Sequence, residues 1–138
     1  MYEGLTGMSV TIRMIEGPLP PTASPWSLPG QGALVTFEGI ARPIENGRLI
    51  QALEYEAYEP MASKMLERIG QQLVAEHGLI GISVEHSVGR VPAGERSLRL
   101  RVASYHRKEA LTAMDRFIDR LKLDVPIWKA AVHEEPTD

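Results

Sequence analysis

Four basic side chains in the last third of this sequence have the chemistry to handle anions: His106, Arg107, Lys122 and Lys129. A guanidinium grips phosphate or carboxylate through two parallel hydrogen bonds, an ammonium supplies a point charge or a proton, and an imidazole binds or shuttles a proton. Their spacing ties them to particular elements. His106 and Arg107 open a stretch in which Ala110, Met114, Phe117, Ile118 and Leu121 recur on one helical face. Backbone N–H groups at a helix start favour anions, although a solvated helix start with a stray histidine is the plainer alternative. Lys122 falls near the end of that helix, which Pro126 stops by disfavouring helical geometry at Val125. A contact with Asp119 or with the helix dipole would explain Lys122 without chemistry. The segment VPIWKAAVH alternates as a strand, with Val125, Ile127, Lys129, Ala131 and His133 on one face. A lysine there needs a reason, either a site or a stem that covers apolar surface while its ammonium reaches water. Arg42, between an apolar strand and Pro43, is a fifth cation, open to either a site role or plain surface charge.

Other chemistries are poorly supported. The sequence has no cysteine, which removes thiol nucleophiles, disulfides and thiolate metal sites. His77, His86, His106 and His133 lack helical ligand spacing, so no metal is expected. There is neither a phosphate-binding loop of the Walker type nor a GxSxG elbow. Glu54 and Glu56 share a strand face and read as a solvent-facing edge rather than a catalytic pair. A net charge of −3 argues against nucleic acid as the main partner, so basic chemistry must be local. Neither a bilayer-spanning apolar run nor a signal-peptide pattern is present, which fits a cytoplasmic location.

The elements that must position these residues follow from patterning. At 138 residues, 43% hydrophobic and 24% charged, the chain is expected to be a single domain over 1–138. Residues 9–15 alternate as a strand. Residues 17–30 hold five of the ten prolines and form an extended loop, with Trp26 as a candidate anchor. GALVTFEGIA (32–41) reads as a buried strand, PIENGR (43–48) as a turn through Asn46-Gly47, and IQALEYEAY (50–58) as its hairpin partner. A helix with Pro60 in its first turn and Gly78 just past its end has Met61, Met65, Leu66, Ile69 and Leu73 as its apolar stripe. A strand over 80–88, a turn over GRVPAGE (89–95) and a strand over 97–104 follow, the last with Leu98, Leu100 and Val102 inward and Arg99 and Arg101 on the opposite face. This order predicts an α+β fold: a mixed, largely antiparallel sheet with two main helices.

HR, a helix, RLK and VPIWK together resemble the signature of the large (catalytic) subunit of molybdopterin synthase, the MoaE family. GALVTFEGIAR (32–42), ALEYEAYEPMA (52–62) and EHSVGRVPAGE (85–95) resemble that family's other landmarks in the same order, so the likeness spans roughly residues 32–130. It implies an α/β hammerhead-like fold with an added subdomain and no cofactor. It also implies sulfur transfer, without a resident metal, from the C-terminal Gly-Gly thiocarboxylate of a ubiquitin-like (MoaD-like) small subunit to cyclic pyranopterin monophosphate. The product is the dithiolene of molybdopterin. The resemblance makes Lys122 and Lys129 catalytic, with Lys122 the stronger candidate. It adds Phe37, Ile40, Ala41 and Arg42 to the substrate pocket, with His106, Arg107, Ala130 and Ala131. The sulfur chemistry then belongs to the partner, which suits a cysteine-free chain. Two alternatives stay open: a non-catalytic module that holds a ubiquitin-like protein, and a protein that binds a small phosphorylated metabolite.

Three departures from the family pattern carry expectations. Pro43 follows Arg42 where a polar residue is usual, which bears on loop geometry. The proline-rich 17–30 stands where a short helix is common. The sequence reads HEEPTD where relatives continue with tryptophan and basic residues; if that tail helps seat the partner or close the pocket, weaker activity or a different closure is expected. Finally, His106 and Lys122 lie sixteen residues apart at opposite ends of one helix, about 24 Å. A site that uses both requires a second copy, and a homodimer with two equivalent shared sites is expected, a heterotetramer once two small subunits bind.

Overall fold

The computed structural model describes residues 9–133, and its element order is strands, helix, strands, helix, strand. β1 (Val10–Glu16), β2 (Ala33–Ile40), β3 (Ile44–Glu45) and β4 (Arg48–Ala57) precede α1 (Met61–His77). β5 (Gly81–Pro92), β6 (Arg96–Ser104), α2 (Arg107–Asp124) and β7 (Ile127–His133) follow. The fold is α+β. Among the described residues β1 with β5 is the one parallel strand pairing; β2–β6, β6–β5, β5–β4, β4–β3 and β4–β7 are antiparallel.

The long β5 is the spine. Its first half, through His86, lies between β1 and β6, with β1 continuing to Val88, and its end, Gly89–Pro92, pairs with β4. Gly89 marks the changeover with φ 82°, a conformation that a side chain would strain. Both helices pack on one face, where Leu66, Ile69, Leu73, Ile82, Val84, Leu100, Val102 and Phe117 form the main core. Gly78, at φ 63°, ends α1 and returns its N–H to the Val74 carbonyl.

The other face of the sheet is charged, and at its centre, at Glu85, Arg99 and Arg101, it is buried. A row of alternating sign crosses four strands in register: Arg13 on β1, Glu85 on β5, Arg99 on β6 and Glu38 on β2. Arg99 is 1% exposed and donates to Glu38 at 2.8 Å, to Glu85 at 3.3 Å and to the Pro20 carbonyl at 2.6 Å. Arg101 donates to the Ser24 carbonyl at 2.7 Å and lies 5.4 Å from the Trp26 ring. Prolines keep their carbonyls while lacking N–H groups, so the five in the 17–30 loop reduce the backbone donors it must satisfy while its carbonyls, those of Pro20 and Ser24 among them, accept from these guanidiniums. The loop is irregular, as expected, and Trp26 anchors it.

Several boundaries differ from the sequence reading. The strand over 32–41 is an edge rather than a buried strand: β2 pairs only with β6 among the described residues, and Leu34, Phe37 and Ile40 are exposed. Nor is β4 its hairpin partner. Asn46 and Gly47, both at positive φ, turn the chain from the two-residue β3 into β4, while β2 pairs with a strand some sixty residues away. β5 continues through Pro92, and the turn is confined to its end, where Glu95 N–H donates to the Pro92 carbonyl. Met61 is exposed, leaving the rest of the α1 stripe against the core. Glu54 and Glu56 do face solvent, but β4 is paired on both sides and is no edge.

Candidate active site

A cavity of about 690 Å³ opens where the last turns of α2 meet β2, β4 and β7. Phe37, Ile40, Arg42, Lys122 and Lys129 all line it. Each arrives by a local device. A bulge between Gly39 and Ile40 shifts the β2 register, and such a bulge re-aims the strand end. Ala41, 1% exposed, then exchanges hydrogen bonds with the β5–β6 turn: its N–H donates to the Glu95 carbonyl and its carbonyl accepts from Gly94 N–H. That fixes the backbone immediately before Arg42. Lys122 sits in the last turn of α2, which ends when Val125 turns extended and buries its side chain. The Pro126 carbonyl accepts from Tyr58 N–H at 3.0 Å and seats the start of β7 on the end of β4. Strand alternation then returns Lys129 to the cavity, opposite Tyr55 of β4.

The cavity also holds residues that motif reasoning missed. Tyr55 donates its hydroxyl to Ser97 at 3.1 Å, and its ring meets His86 edge-on at a centroid distance of 5.3 Å. His86 is 4% exposed, its Nδ1 lies 2.8 Å from the Ser87 carbonyl, and burial holds its pKa below the ordinary value of 6.5. It is therefore a neutral imidazole with Nδ1 as donor. Glu38 is gripped by Arg96 and Arg99, each Nε at 2.8 Å. The Arg96 hydrogen bond is the main cause of its lowered pKa, burial opposing and Arg99 adding to the effect. Glu45 lies 3.6 Å from the Lys129 ammonium. The strand pattern shows these positions as alternate residues; only the fold shows that they converge.

The remaining expected site residues lie elsewhere. Ala131 packs against a small second core with Ala41, Ile50, Leu53 and Val91, and Ala130 is exposed. His106 and Arg107 line a separate depression of about 620 Å³ at the start of α2 with Gly32, Tyr105 and Lys108. A side chain at Gly32 would collide with the Tyr105 carbonyl, which is why the chain can approach so closely there. Among the described residues no metal-binding cluster is present.

The α+β sheet thus carries, at a helix end, a cavity in which three cations are joined by Glu38 and Glu45 and walled by Phe37, Leu98, Leu121 and Trp128. The family model described as MoaE protein matches residues 19–124. The chain belongs to the MoaE family. It is 41% identical over 104 residues to a molybdopterin synthase catalytic subunit of Oryza sativa subsp. indica, covering 75% of this chain and 54% of the relative. The corresponding Bacillus subtilis (strain 168) protein is 40% identical over 104 residues, with coverage of 75% and 66%. The crystal structure of molybdopterin synthase from Staphylococcus aureus superposes with a TM-score of 0.75 at 31% identity, covering 96% of each chain. The matches span about half the length of the plant relative.

Proposed function

We propose that this chain acts as the catalytic subunit of a molybdopterin synthase. A ubiquitin-like partner brings a C-terminal Gly-Gly thiocarboxylate, which carries one sulfur, into the cavity; two such deliveries in turn place two sulfurs on cyclic pyranopterin monophosphate to give a dithiolene, each partner C-terminus leaving as a carboxylate once water has supplied its oxygen. The observation that carries this reading is the convergence of Arg42 with Lys122 and Lys129, which follow it by some eighty residues, on one cavity. Relatives named as catalytic subunits support it. The chain has no cysteine, so the sulfur comes from the partner, and what this chain supplies is cationic.

Arg42 and Lys129 hold the substrate phosphate and balance the negative charge that develops on oxygen when the thiocarboxylate reacts. Lys122, at the mobile tip of a four-carbon stem, moves the proton. His106 and Arg107 join the site from a second copy of the chain. α2 has 18 residues and is about 27 Å long, which separates its two ends beyond the reach of one small substrate. A two-fold dimer, acting in a single-domain protein of the cytoplasm, brings the start of one α2 to the end of the other.

The test is incubation with the pyranopterin substrate and a thiocarboxylated ubiquitin-like partner. Dithiolene product is expected. Tight partner binding without product would instead identify a non-catalytic binding module.

A further inference from the structure

Lys129 differs from the other cavity cations in having a carboxylate opposite it. Glu45 Oε1 lies 3.6 Å from Lys129 Nζ, and the Glu45 side chain is 16% exposed against 52% for Lys129. Among the described residues, neither Lys122 nor Arg42 has a comparable ion pair. Glu45 is held there by construction. β3 is only two residues long, and Asn46 and Gly47, at φ 51° and 76°, fold it straight back on β4. Ile50 N–H donates to the Pro43 carbonyl and closes the base of this small hairpin. A turn with two consecutive positive φ values admits few residue types, and Asn-Gly is the favoured pair. The tip thus carries one acidic side chain to the cavity rim.

A carboxylate is the wrong charge for a cavity that binds anions. Coulomb attraction alone would leave the cavity a better anion trap without it. A gain must offset that loss, and the gain available is geometric: a four-carbon lysine stem samples many rotamers, and an ion pair with a partly buried partner selects one. We propose that Glu45 is a positioning residue that fixes the Lys129 ammonium for the anionic group of the substrate, leaving proton transfer to Lys122. This division of labour rests on the sulfur-transfer reading above.

The two explanations of Glu45 predict opposite signs. Glu45→Gln keeps the shape and the backbone and removes the charge. If Glu45 positions Lys129, kcat falls on the order of tenfold, since small misplacements of a reacting group are expensive. Lys129→Met should lower activity by a similar or larger factor, and the double variant should be no worse than Lys129→Met alone, because Glu45 acts through that lysine. Amine labelling supplies a readout independent of turnover. With acetic anhydride, Lys129 in Glu45→Gln should react severalfold faster, relative to the exposed Lys64, than in the unaltered protein. Melting curves establish that the variants are folded. If the unaltered protein makes no dithiolene, the proposed function fails. If it is active, an equal or higher kcat/KM in Glu45→Gln, additive losses in the double variant, or unchanged Lys129 labelling overturns the role of Glu45.

Discussion

Lys122 and Lys129 are chemically alike and stand in different surroundings. Both are exposed at the cavity, one on the last turn of a helix and one on a strand. Truncating Lys122 removes no core packing, so Lys122→Ala should leave the melting temperature within a degree or two while product formation falls about 10²-fold or more. Near-normal turnover in the folded variant would remove Lys122 from the mechanism. His86 sets a different expectation, for stability rather than rate. Burial depresses its pKa from 6.5, so the unfolded chain takes up a proton at a pH where the folded chain does not. Its contribution is therefore complete above about pH 6.5 and is lost as pH falls through the folded value. Glu38, depressed from 4.5 mainly by its Arg96 hydrogen bond, has the same sign in a lower window, below about pH 4.5. Urea midpoints between pH 7.5 and 5 should fall for the parent and flatten in His86→Gln; parallel profiles would show that His86 is not what the acid limb titrates.

At the scale of elements, the arginine row is what joins the proline-rich loop to the site. Arg99 contacts Pro20 at one end and Glu38, a cavity residue, at the other. Arg99→Met would leave Glu85, which is 4% exposed, with Arg13 at 3.4 Å as its remaining ion pair, and should cost about 3 kcal/mol. Arg13→Met, at the row's outer end with a side chain 64% exposed, should cost under about 1 kcal/mol. Denaturant unfolding of the two variants measures the difference, and equal losses would contradict a buried network. How far such arrangements are legible in sequence depends on their range. The α2 face, the Gly78 stop, the Asn46-Gly47 turn and the Arg99/Arg101 face are local patterns, and all were readable. The pairing of β2 with β6 was not. A run such as ALVTFEGI has the composition of a buried strand, yet the exposure of Leu34 and Phe37 is decided by which strand lies alongside, at a separation that no local period encodes. Glu45 was hidden for a related reason: beside Asn46-Gly47 a glutamate reads as turn polarity, and only the β4–β7 register brings Lys129 to it.

At the scale of the whole molecule, the candidate residues divide into two groups by the length of α2. Arg42, Lys122 and Lys129 share one cavity, while His106 and Arg107 line another. A sulfur-transfer site that uses both groups must be divided between two copies of the chain, and mixing defective chains tests this most directly. Arg107→Ala and Lys122→Ala chains, each inactive alone, would be exchanged and the dithiolene product measured. In a mixed dimer one site collects both defects and the other neither. Random exchange should therefore recover roughly a quarter of the unaltered activity, because about half the dimers are mixed and half their sites are intact. If each site were built within one chain, every site would keep a defect, and verified exchange with no recovered product would contradict the shared site.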